Sequence, residues 1–129
     1  GHQAGDELLK AATAAWSDSL GEDGFLARWG GEEFAALLPC TGSGGTAGAL
    51  VRADRLRAVV PDGQTCSVGT ARWDGTEEPA ALLRRADRSL YAAKTGGRDR
   101  LVHDGDPLDP ATAEPSRTGT APGGTGRRA

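Results

Sequence analysis

The stretch Phe25-Leu26-Ala27-Arg28-Trp29-Gly30-Gly31-Glu32-Glu33-Phe34-Ala35-Ala36-Leu37-Leu38 sets two runs of strand-forming residues on either side of a glycine pair. A Gly-Gly connection predicts a tight β-hairpin, because both central positions of a type I′ turn need φ > 0. Two carboxylates, Glu32 and Glu33, follow the turn directly, and strand alternation would send them to opposite faces. Acids at a rigid hairpin tip suit a hard cation such as Mg²⁺, which prefers oxygen ligands and keeps substrate phosphates in its shell. Gly30 and Gly31 would let a nucleotide come close to the backbone. By spacing alone the same pair also reads as an exposed hairpin with two solvated glutamates. Phe34 to Leu38 is apolar enough for a strand buried on both faces, closed by Pro39.

On the N-terminal side, Leu8, Ala12, Ala15, Trp16 and Leu20 recur at helical spacing and predict an amphipathic helix over 5–20. On the C-terminal side a second helix is expected over 47–60, burying Ala49, Ala53, Leu56 and Val60 and stopping at Pro61-Asp62-Gly63. Residues 65–73 read as a strand. A third helix starts near Glu77-Glu78-Pro79, presents Leu83, Ala86, Leu90 and Ala93 on one face and ends at Gly96-Gly97, before a short strand at Leu101-Val102. Residues 104–129 carry many prolines, glycines and threonines and little apolar bulk, so a disordered tail is expected there and a folded part over 1–103.

The chain has 129 residues, 37% hydrophobic and 26% charged, which fits one globular domain with a modest core. No apolar run is long enough to span a bilayer and no secretory leader is visible, so no direct membrane contact is expected from this segment and a cytoplasmic setting is, with a membrane-tethered parent left open. A net charge of −3 with dispersed cations disfavours nucleic acid as a partner. Cys40 and Cys66 lack zinc or redox spacing and read as reduced thiols. There is no methionine, and the chain is expected to begin inside a longer protein.

Gly30-Gly31-Glu32-Glu33-Phe34, preceded by Ala27-Arg28-Trp29, resembles the signature of the GGDEF family, the diguanylate cyclases. Gly1-His2-Gln3-Ala4-Gly5-Asp6 is similar to the family's Gly-His-x-x-Gly-Asp segment, and Cys66-Ser67-Val68-Gly69-Thr70-Ala71 to its Ser-hydrophobic-Gly strand. Arg85-Ala86-Asp87, Leu90-Tyr91, Ala93-Lys94 and Gly97-Arg98 resemble its last long helix and the turn after it. The resemblance implies an α/β fold of the palm-like nucleotidyl-cyclase type, a mixed sheet with helices on its faces. It also implies condensation of two GTP into cyclic di-GMP with release of pyrophosphate, Mg²⁺ or Mn²⁺ as cofactor, and a homodimer that brings two GTP-loaded sites face to face. Carried over by position, Glu32 is the metal-binding acid and Glu33 an auxiliary catalytic one. Asp6 accepts hydrogen bonds from guanine, Gly30 and Gly31 lie against the substrate, Lys94 and Arg98 hold the β and γ phosphates, and Arg28 and Asp87 support the site. Without the resemblance, Asp6 reads as a helix-start acid and Lys94 as a cation complementing a helix C-terminus.

Two departures stand out. The family's Asp-x-Asp-x-Phe-Lys strand and Asn-Asp pair precede its Gly-His-x-x-Gly-Asp segment, whereas this chain starts at Gly1-His2. The first central strand is therefore missing, along with a second metal-binding acid and a guanine-binding asparagine, and this chain alone is expected to be inactive and poorly stable. Where product-inhibited members carry Arg-x-x-Asp, this chain has Gly21-Glu22-Asp23-Gly24, so no feedback inhibition through that site is expected. Two other readings remain: a degenerate GGDEF module that binds GTP or a partner and only regulates, and a dinucleotide binder built on the loose Gly-x-Gly-x-x-Ala match Gly42 to Ala47.

Overall fold

The structure, a computed structural model, describes residues 2–41 and 44–104. Seven elements follow in the order α1 (His2–Leu20), β1 (Phe25–Gly30), β2 (Glu33–Leu37), α2 (Gly45–Ala58), β3 (Val68–Thr70), α3 (Pro79–Thr95) and β4 (Leu101–His103). The fold is α/β. Its strands form two sheets of two rather than one continuous sheet: β1 pairs antiparallel with β2, and β3 pairs parallel with β4.

The parallel pair lies between α2 and α3, whereas the hairpin backbone approaches α1 and none of the other described elements outside itself. Trp16 in α1 connects the two parts. Its ring meets Phe34 of β2 edge-on at 5.0 Å, and its indole Nε1 donates to the Leu56 carbonyl of α2 at 2.9 Å. Arg52 of α2 closes the other end by donating to the Leu20 carbonyl at 2.8 Å and to Asp23 at 3.0 Å. The buried apolar side chains, Ala12, Leu20, Ala49, Ala53, Leu56 and Ala93, are mostly alanines, so the core is thin.

Several expectations change. The first helix begins at His2, so Asp6 stands inside it rather than at its start. The run 34–38 is not buried on both faces: Leu37 is 63% exposed, because the face it shares with Phe25 has no described element packed on it. The strand expected over 65–73 narrows to three residues, since β4 offers a ladder only to Val68, Gly69 and Thr70. Leu83 is exposed while Ser89 is buried, because α3 turns its small residues toward the parallel pair. The second helix runs Gly45–Ala58 and leaves Val60 half-buried beyond its end. The strand preceding the glycine-rich loop is the second arm of an antiparallel hairpin, which is not the βαβ setting of a dinucleotide site. Gly42, Ser43 and the expected tail beyond Asp104 lie outside the described residues.

Two features fix the C-terminal part. Gly69 lets α3 cross β3 closely, since a Cβ there would sit 2.5 Å from the Ala86 carbonyl oxygen and overlap the Leu90 amide nitrogen, both backbone atoms that cannot swing aside. Arg85 gathers the turn, the helix and the end of β4: it donates to Glu77, to the Arg72 carbonyl and, at 2.8 Å, to Asp104. The Arg85 hydrogen bonds hold the Glu77 carboxyl below its usual range, as the Thr76 and Glu77 amides do for Asp74.

Gly69→Ala is expected to cost more than about 2 kcal/mol, in the range of overpacked cores, read as a lowered urea midpoint. Because the folded-state pKa of Glu77 is depressed, its contribution is present above the unfolded carboxyl pKa, about 4.3, and is lost as pH falls through the folded value. The stability gap between the parent chain and Glu77→Gln should therefore narrow as pH is lowered from 6 to 3 in denaturant titrations.

Candidate nucleotide site around the hairpin

The hairpin turn is formed by residues 31 and 32 rather than by the expected Gly30-Gly31 pair: Gly30 ends β1 opposite Glu33, and Glu32 lacks the positive φ that a type I′ turn needs, so the register is irregular between Arg28 and Gly30. Gly31 adopts φ 52°, in the left-handed region that favours glycine. A Cβ at Gly30 or Gly31 would meet nothing within 4 Å, so the turn backbone is open to an approaching group. The Arg28 guanidinium clamps the turn, its Nε and Nη2 donating to the Gly31 carbonyl at 3.0 and 2.6 Å.

Glu32 sits exposed in the turn and makes no hydrogen bond or ion pair among the described residues. Glu33 opens β2 on the face away from α1, and its Oε2 lies 3.4 Å from Lys94 Nζ in the last turn of α3. Residues 61 positions apart thus bring an acid and a cation together. Arg98 lies just past α3 with φ 64°, held by its amide donating to the Ala93 carbonyl at 2.9 Å. Its exposed side chain has no ion pair among the described residues. Asp87 is exposed on α3 and likewise unpaired.

Asp6 stands elsewhere. It lines an open cleft of about 620 Å³ between α1 and the hairpin, with Leu9, Lys10, Thr13, Ala14, Leu26, Arg28 and Phe34. Leu26, Arg28 and Phe34 share the hairpin face opposite to that of Glu33. The turn therefore separates a cleft holding Asp6 on one side from the Glu33–Lys94 contact on the other, and Arg28 borders the cleft while gripping the turn. Lys10, Leu26 and Phe34 were not singled out as site residues in the sequence. The signal available for Lys10 was its position four residues after Asp6, which puts both on one helix face.

No group of three His, Cys, Asp or Glu side chains converges among the described residues. Glu32 nonetheless offers an unpaired carboxylate at an open turn. That donor set fits Mg²⁺ in its common mode, in which one or two carboxylates are completed by water and phosphate oxygens.

Residues 1–100 match the family described as the diguanylate cyclase GGDEF domain. The chain belongs to the GGDEF family. It is 41% identical to the diguanylate cyclase DgcP of Pseudomonas aeruginosa, over 78% of this chain and 16% of that protein. It is 36% identical to DgcM of Escherichia coli, over 79% and 26%, and 34% identical to the response regulator PleD of Caulobacter vibrioides, over 79% and 25%. The chain thus spans a quarter or less of the length of two of these relatives and about a quarter of the third. Among solved structures it resembles the GGDEF domain of DgcB from Caulobacter crescentus in complex with c-di-GMP, with a TM-score of 0.65, 30% identity and coverage of 81% and 67%. It also resembles the diguanylate cyclase SiaD of Pseudomonas aeruginosa in complex with its activator SiaC, with a TM-score of 0.67, 34% identity and coverage of 80% and 42%.

Lys94→Met is expected to change folding stability by less than about 1 kcal/mol, since the ion pair with Glu33 is solvent-accessible. The same substitution should weaken binding of tripolyphosphate with Mg²⁺ about tenfold by titration calorimetry, the loss of one charge-assisted contact.

Proposed function

We propose that this chain is the nucleotide-handling part of a diguanylate cyclase, which joins two GTP molecules into cyclic di-GMP and releases pyrophosphate when two loaded copies face each other. The observation that carries this reading is the 3.4 Å approach of Lys94 to Glu33 beside the open glycine turn. It brings a phosphate-type cation to the auxiliary acid, one residue from the metal-type acid Glu32, beside an open turn where a triphosphate could lie.

Each residue then has a task. Asp6 accepts N–H groups of guanine at the far end of the cleft, and the open backbone of Gly30 and Gly31 admits the phosphates. Lys94 and Arg98 neutralise the β and γ phosphates, Arg98 from the turn beyond α3. Glu32 would hold Mg²⁺ and Glu33 would assist it. When bound there, the ion would supply neutralisation of triphosphate charge and would favour the ionised ribose hydroxyl. Two half-reactions are required for a cyclic dinucleotide, so catalysis depends on a homodimer. The parent acts in bacterial second-messenger signalling, in the cytoplasm.

A second reading, a degenerate module that binds GTP or a partner without catalysis, is favoured by the same tip: two carboxylates with no third nearby among the described residues, carried by a hairpin not joined to the other sheet.

The two readings separate in a turnover assay with GTP and Mg²⁺, following pyrophosphate release. This chain alone should show none. The chain fused behind the N-terminal portion of an active GGDEF domain should form cyclic di-GMP, and added product should not inhibit it through residues 21–24. Glu32→Gln in the fusion should lower the rate at least a hundredfold, the scale on which an electrostatic catalytic contact acts. Turnover by the short chain would refute its inactivity, and a silent fusion that still binds GTP would favour the regulatory module.

A further inference from the structure

We propose that Lys10 selects the base, donating to the O6 carbonyl of guanine while Asp6 accepts its ring and amino N–H groups. The inference rests on the GTP reading above and adds a specificity-determining residue to it.

Four polar side chains line the cleft, and two of them are already engaged. Thr13 is spent on its own helix, its Oγ1 donating to the Leu9 carbonyl at 2.7 Å. Arg28 is turned onto the Gly31 carbonyl through both Nε and Nη2. Asp6 has no partner among the described residues. Lys10 has only a loose contact with Glu7 at 3.6 Å, where both side chains are at least two-thirds exposed. What the cleft offers a ligand is therefore one carboxylate and one ammonium over an apolar floor that includes Leu26 and Phe34.

Four residues apart on α1, Asp6 and Lys10 start about 6 Å from each other at Cβ, and both side chains can lean toward one planar edge. Guanine presents such an edge: two adjacent N–H donors that suit a carboxylate, and beside them a carbonyl oxygen that suits an ammonium. Adenine reverses the last two positions, setting an amino group where guanine has O6 and a bare ring nitrogen where guanine has N–H. An ammonium would then face a donor and the carboxylate an acceptor, so the pair rejects adenine as well as accepting guanine. The flexible lysine can reach without moving the backbone, and its removal exposes no buried group.

The test is an equilibrium titration of this chain, in Mg²⁺, with N-methylanthraniloyl derivatives of GTP, inosine triphosphate and ATP, using the parent sequence, Lys10→Met and Lys10→Arg. Lys10→Met should weaken GTP and inosine triphosphate by the same factor, about tenfold for one hydrogen bond to a charged group, because both carry O6. ATP binding should not weaken and should tighten if anything, because Lys10 opposes the adenine amino group, and Lys10→Arg should restore most of the preference. An equal loss for all three nucleotides would show a general charge effect and overturn the proposal, as would an unchanged GTP-to-ATP ratio in Lys10→Met. If the parent chain binds none of the three, the GTP reading itself fails and takes this inference with it. GTP binding that ignores Lys10 removes the inference alone.

Discussion

One aromatic contact holds the molecule's two halves in register. Trp16 presses its edge against Phe34 in the hairpin and hands its indole N–H to the Leu56 carbonyl in α2. The hairpin backbone approaches none of the described elements beyond α1, so the position of the acidic turn relative to α3 is transmitted through that helix and this side chain. Trp16 and Phe34 are half-buried and still cover more apolar area apiece than the alanines that make up most of the buried core, which offers little to replace them. The candidate site inherits this dependence, because Glu33 and Lys94 meet only while both halves keep their places.

The elements carrying the strongest local signals were legible in the sequence. The existence of the hairpin, the buried positions Ala49, Ala53 and Leu56, and the double-glycine end of α3 came from turn chemistry and helical spacing alone, although the hairpin turn falls one residue later than the glycine pair implies. What failed depended on distant partners. Residues 65–73 have strand propensity throughout, yet only three of them pair, because ladder length is set by β4 and not by local preference. The apolar run after the hairpin turn looked fully buried, whereas Leu37 and Phe25 share an uncovered face; composition shows that a face is apolar but not whether anything lies on it. Ser89 is buried and Leu83 is not, an inversion set by how closely Gly69 lets α3 approach.

For the site, the residues that look chemical in isolation were easier to find than their arrangement. Glu32, Glu33, Lys94 and Arg98 drew notice through a family pattern, but the pattern does not say which face of the hairpin each acid takes. Strand parity settles that for Glu33, and it also explains why Asp6 lies across the turn from Lys94. Lys10 was invisible as a site residue because a lysine on the polar side of an amphipathic helix is the ordinary case. Its significance comes from the cleft beneath it, which exists only once the hairpin has docked on α1.

The acid and the cation that meet beside the turn are carried by separate bodies: Glu33 rides on the hairpin, and Lys94 on the helix that covers the parallel pair. A polyanion with its metal, lodged between them, would work as a splint, replacing one weak ionic link with several and stiffening a joint that the polypeptide leaves lightly fastened. Charge neutralisation and mechanical closure would then be a single event, and the ligand would finish a structure that the chain only begins.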